Sequence, residues 1–171
     1  MASTTMLDLR RQDQMRTLWT PYWLVSSEIN KDCDDLAAVL FSFPAAIYGT
    51  RRLKINEIAV QVIDLFDGTA SLNIGSGTLA TDAVTDGGTV TLVDEDDYVP
   101  TANITEATIG MYWATSGDWI TAALLKTNAG PEIITPADAT VPCVVAYLTA
   151  ATAITVGKAR VLMQVYEIPL F

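Results

Sequence analysis

Histidine is absent from all 171 residues. That excludes Ser-His-Asp and Cys-His nucleophilic sites, and any zinc centre that needs imidazole. Carboxylate chemistry, lysine chemistry or binding remain. Cysteine occurs twice, at Cys33 and Cys143, far apart in the chain. The amino terminus MASTTMLDLRRQDQ lacks the apolar core of a secretory signal, so two buried thiols are expected rather than one long-range disulfide. No apolar run reaches the roughly 18 residues that span a bilayer, and no membrane partner is expected. Basic residues are scarce, ten against twenty acids, for a formal charge of −10. Phosphate contacts need Lys and Arg, so nucleic acid is not an expected partner either.

What remains is apolar and β-prone. Half the residues are hydrophobic and only 18% are charged, which suits a single domain with a sizeable core. The charge is uneven. Residues 1–54 hold seven of the ten basic residues against six acids, whereas residues from Ile55 onward hold three against fourteen. This is either ordinary solubility charge on the body or the mark of a near-neutral amino-terminal part that docks where the body cannot.

The chain is organised around Leu53 to Gly77, LKINEIAVQVIDLFDGTASLNIGSG. Ile58, Val60 and Val62 alternate with the period of a strand covered on one face. Leu53/Ile55 and Ile63/Leu65 fall on the opposite parity, so a bulge or burial on both faces is expected. Asp67-Gly68 reads as a tight turn, after which Leu72 and Ile74 resume the alternation. Further strands are expected over Tyr22–Ile29, Leu36–Phe43, Thr89–Val93, Ile104–Ala114, Trp119–Leu125, Val141–Thr149 and Lys158–Ile168. Pro142 restricts its strand to an edge position or to a strand start. The last strand is apolar on both parities, with Val161, Met163 and Val165 on one and Leu162, Tyr166 and Ile168 on the other. In a two-sheet body, a neighbouring subunit would cover its second face. Short strands punctuated by turns point to an all-β β-sandwich or jelly roll over residues 21–171.

Residues 1–20 read as a separate N-terminal arm. Met6, Leu9 and Met15 suit a narrow apolar stripe with Arg10, Arg11 and Arg16 beside it, and Thr20-Pro21 marks its end. Trp19, Tyr22 and Trp23 crowd the junction, as core aromatics or as anchors to a partner. Arg10, Arg11, Arg16, Trp19 and Trp23 are the candidate partner-binding residues.

No constellation carries a catalytic pattern. Asp94-Glu95-Asp96-Asp97 is dense enough to suggest Ca²⁺, yet it lacks calcium-loop spacing and is expected to be a solvated acidic loop. Asp64, Glu106 and Asp118 are the carboxylates a glycosidase would draw on, but any acidic β protein offers as many. Trp113 and Trp119 flank a predicted hairpin, where such rings pack across strands or stack on a sugar. No enzyme activity, cofactor or metal site is expected.

The stretch IAVQVIDLFDGTASLNIGSG, with its Phe-Asp-Gly-Thr turn, resembles the small structural proteins of tailed-bacteriophage heads. The closing GKARVLMQVYEI resembles their terminal strand. The resemblance covers about a fifth of the chain, by residue count of the quoted stretches. It implies a jelly-roll decoration (cement) protein sitting as a homotrimer on the capsid exterior, made in the host cytoplasm and contacting the major capsid protein. The longer amino-terminal segment and the Asp94–Asp97 run depart from that pattern. A glycan-binding or host-recognition module of the virion, using Trp113 and Trp119, is the alternative.

Overall fold

A computed structural model describes residues 20–30, 37–67, 71–80, 90–99, 109–113, 133–149 and 153–168. Among these residues ten strands follow in chain order: β1 (Tyr22–Val25), β2 (Ile29–Asn30), β3 (Ala37–Ser42), β4 (Arg52–Asp64), β5 (Ser71–Ala80), β6 (Val90–Val99), β7 (Gly110–Trp113), β8 (Ile133–Ile134), β9 (Thr140–Thr149) and β10 (Lys158–Ile168). A single helical turn, α1 (Ala45–Tyr48), lies between β3 and β4. The strands form two antiparallel sheets. Sheet A has the order β1-β10-β4-β7, with β2 also on β10 and β8 also on β4; sheet B has the order β3-β9-β5-β6. Setting the two-residue strands aside, the other eight change sheet at every step except from β5 to β6, which pair as neighbours in sheet B, and their order is that of two Greek keys, a jelly roll. The expected β-sandwich is the observed fold.

The core lies between the sheets. Ile58, Val60, Val62, Val161, Met163 and Val165 face it from sheet A, and Leu72, Ile74, Val144, Ala146 and Leu148 from sheet B. Full burial of each large aliphatic side chain contributes about 1.5–3 kcal/mol of transfer free energy. Sheet B is apolar on its other face too, where Leu79, Val141, Cys143 and Val145 form a second cluster.

The parity slip in β4 has a definite cause. Glu57 pairs with Gln164 but Ile55 with Val165, which leaves Asn56 as the extra residue of a bulge. Leu53 and Ile55 therefore face the core on odd numbers, and Ile58, Val60 and Val62 on even ones. A second irregularity frees Ile63 opposite the Lys158/Ala159 step. In β3 the pairing skips Leu40, so Leu40 and Phe41 are both buried.

Several expectations change once the sheets are in place. The Leu53–Gly77 stretch is not one paired unit: β4 belongs to sheet A and β5 to sheet B, so the chain changes sheet between Asp64 and Ser71. Tyr22–Ile29 is interrupted, because Ser26 Oγ accepts a hydrogen bond from Val161 N (2.9 Å) where a strand carbonyl would stand. Thr89–Val93 extends to Val99 and takes in the acidic run, which is an irregular strand segment and not a loop. Pro142 lies in the interior strand β9, at its start, opposite the end of β3. Its carbonyl accepts Phe43 N (2.9 Å), and the N–H it lacks falls where β3 has stopped. The α1 turn was not expected. Asp138, 92 residues away, accepts a hydrogen bond from Ala46 N (2.9 Å), and Gly49 ends the turn at φ +64°. Cys143 is buried and unbonded, as expected, and burial pushes its thiol up to about 11. Cys33, Trp119–Leu125 and most of the arm lie outside the described residues.

Candidate interaction surface

Sheet A presents the surface most suited to contact. Register places Val25 opposite Leu162, Leu162 opposite Ala59, and Ala59 opposite Trp113. Alternation sends Val25, Leu162 and Ala59 to the face away from the core, so one row runs across β1, β10 and β4. Val25 is 58% exposed and Leu162 is half-buried, while Ala59 is fully buried although it faces away from the core. In the next row stand Trp23, Gln164 and Glu57; on the other side stand Arg160, Gln61 and the exposed Met111. Such a row needs a strand-period pattern in three separated segments, with the β4 bulge setting its phase.

Among the expected contact residues, Trp23 alone is described. It lies in β1 at 38% exposure, opposite Gln164, and points away from the core that Tyr22 and Leu24 pack against. Of the crowded aromatics, Tyr22 thus belongs to the core and Trp23 to the surface. Arg10, Arg11, Arg16 and Trp19 lie outside the described residues. Trp113 ends β7 and Asp64 ends β4, whereas Glu106, Asp118 and Trp119 lie outside the described residues.

One end of the sandwich is closed by a polar network. Arg51 pairs with Glu167 (2.6 Å), and burial followed by the Glu167 charge pushes the Tyr22 phenol up to about 12. Tyr48 is raised by the same two causes, and its ring meets Phe43 at 5.6 Å between centroids. On the outer face, the Lys54 ammonium stands 5.9 Å from the Tyr166 ring centroid, a cation–π arrangement. At the opposite end Asp67 accepts three hydrogen bonds: from Thr155 N (2.7 Å), Thr155 Oγ1 (2.5 Å) and Val156 N (3.1 Å). These bonds hold its carboxyl below the usual carboxylate range. The residue that marked a turn in the sequence thus latches the crossover from β4 to the approach to β10.

The acidic run splits by residue. Asp94 is exposed, whereas Asp97 is 7% exposed and accepts a hydrogen bond from the Ser76 hydroxyl. The irregular pairing of β6 makes this possible: Ile74 pairs with Val99 and Ser76 with Asp94, so Glu95–Tyr98 stand opposite the single residue Gly75. The expectation of a wholly solvated run is corrected at Asp97. Among the described residues no three His, Cys, Asp or Glu side chains are placed to hold a metal ion, and no helix is long and apolar enough to cross a membrane.

No protein-family model matches the chain, and no curated protein matches it in sequence. Among solved structures, a chain in the acidic stable capsid structure of Helicobacter pylori bacteriophage KHP30 aligns over 88% of this chain and 94% of that one. The identity is 13% and the TM-score 0.39. A likeness of that size carries no argument about function, which leaves the jelly-roll order and the apolar row across sheet A as the features to be explained.

Proposed function

We propose that the chain is a structural, non-enzymatic component of a phage virion: a decoration (cement) protein on the capsid exterior that reinforces the major capsid protein. In this reading it is made in the host cytoplasm and self-associates, with three copies per assembly. The observation that carries it is the exposed apolar group Trp23, Val25 and Met111 on the outer face of sheet A, with the half-buried Leu162 beside Val25. A face of this kind marks an interaction surface. Jelly rolls also build viral capsid and lectin domains, which is an analogy of fold and supports the reading only as such. The amino-terminal part, holding Arg10, Arg11 and Arg16, is the segment suited to an acidic partner surface, since the body from Ile55 onward carries fourteen acids against three basic residues.

Sedimentation equilibrium and binding to undecorated heads test the reading together. The expected species has three times the 18.4 kDa chain mass. Trp23→Asp with Val25→Asp should dissociate it, and deleting residues 1–18 should abolish head binding while leaving a folded β body. A stable monomer at micromolar concentration would refute the assembly. Full head occupancy by the truncated protein would refute the role of the arm. Specific binding on a glycan array without head binding would transfer the assignment to carbohydrate recognition.

A further inference from the structure

Basic residues are scarce in this chain, and several gather on one face. Of the three from Ile55 onward, Lys158 and Arg160 both stand on the outer face of sheet A, because Ala159 and Val161 of the same strand point to the core. Arg52 and Lys54 stand at the other end of that face, on either side of the core residue Leu53 and paired with Ile168 and Tyr166. Glu57 and Asp64 share the face by register, and Glu28 reaches Lys158 (3.5 Å). Four basic residues thus meet three acids here. The rest of the chain holds six against seventeen, which is ten less four and twenty less three. Between the two basic ends lie the exposed Trp23 and Val25, with Leu162 beside Val25. Sheet B carries the converse pattern. Thr91, Leu92 and Val93 of β6 are exposed, and they run into Asp94-Glu95-Asp96-Asp97.

We infer that the outer face of sheet A docks on the exposed part of β6 in a second copy of this chain. This rests on the self-association proposed above and names the surface that the face meets. Charge selects this arrangement over two sheet A faces laid on each other. Basic residues stand at both ends of the face with the apolar group between them. A second copy lying face to face sets basic ends on basic ends whichever way its strands run, and like charges at a contact oppose it. Docking on β6 instead brings Trp23 and Val25 to Leu92 and Val93, and the basic ends to a strand rich in acids. The two surfaces are unlike and belong to opposite sheets, so each copy keeps one of each kind for the next. Head-to-tail contacts of this type close into rings when the rotation allows, which suits an assembly of three.

Sedimentation equilibrium on the full-length protein tests the contact. Arg52→Glu/Arg160→Glu reverses one charge at each end of the face, and Thr91→Lys/Val93→Lys adds two basic groups to β6. All four positions are exposed, so thermal melting should show both variants folded. Each should weaken self-association about tenfold or more, and added salt should weaken that of the wild type. Mixed in equal amounts, the two variants should associate again, since each supplies the surface that the other has altered. If Thr91→Lys/Val93→Lys assembles alone at wild-type strength while Arg52→Glu/Arg160→Glu does not, sheet A pairs face to face and the inference is overturned, with the proposed assembly left standing. A mixture that stays monomeric would overturn it as well. A wild type that is monomeric at micromolar concentration would overturn both this contact and the assembly on which it rests.

Discussion

Gly157→Ala is the substitution whose effect the structure fixes most closely. Gly157 is buried immediately before β10, with φ +131°, a backbone conformation that L side chains rarely adopt. Forcing alanine into it costs about 1–3 kcal/mol. Space is the second obstacle. A Cβ there would lie 2.8 Å from the Phe66 Cα and closer still to carbons of its ring. The ring is in the core, so it cannot simply swing into solvent, and the backbone atom cannot move without displacing the crossover that Asp67 latches. Overpacking of this kind adds about 1–3 kcal/mol. The sum, roughly 2–6 kcal/mol, is a large part of the 5–15 kcal/mol that holds most domains folded. Urea unfolding at one fixed protein concentration should show a lowered midpoint with little change in slope, and melting should fall by about 4 °C or more. The double variant Gly157→Ala/Phe66→Ala separates the two causes, since removing the ring relieves its clash but neither the φ strain nor the backbone contact. Gly157→Ala should therefore cost less in the Phe66→Ala background than in the wild type. A loss under about 0.5 kcal/mol for Gly157→Ala would refute the reasoning, because surface-like tolerance is incompatible with that clash.

The Asp67 latch should show itself in acid. Its lowered pKa means that its stabilisation is complete above the unfolded carboxylate value, near 3.8, and is lost as the pH falls through the folded value. Asp67→Ala should thus melt lower than wild type at neutral pH and converge with it in strong acid; a pH-independent gap would contradict the latch. Ser76→Ala should cost about 1–3 kcal/mol in chemical denaturation by leaving the buried Asp97 carboxylate without its donor. Ser76→Ala/Asp97→Leu should recover much of that loss, and a double variant worse than both singles would show that Asp97 is held by other means.

The strand content of this protein, and most strand positions, could be read from the chain because alternation is a local property. β3, β9 and β10 stand within a residue or so of their expected limits. The parity slip in β4 was legible as a bulge or as burial on both faces, and pairing with β10 decides for the bulge, since Leu53/Ile55 and Ile58/Val60 share a face only with an extra residue between them. The surface candidates were partly legible as well: Trp23 stood out as an aromatic beside a proline boundary. Its direction was not legible, because Tyr22 and Trp23 are adjacent and only pairing with β10 decides which of them faces the core. Pairing partners were the general blind spot. β4 and β5 lie close in sequence yet sit in opposite sheets, and Asp67, read as a local turn residue, is committed to Thr155 and Val156, 88 and 89 residues away. The α1 turn depends on Asp138, and the Ser76–Asp97 contact on an irregular register between β5 and β6. The apolar row across sheet A joins residues from β1, β10 and β4 that no sequence window contains. Hydrophobic period sets which residues of a strand share a face, whereas the neighbour of each strand is chosen by the packing of the whole sandwich.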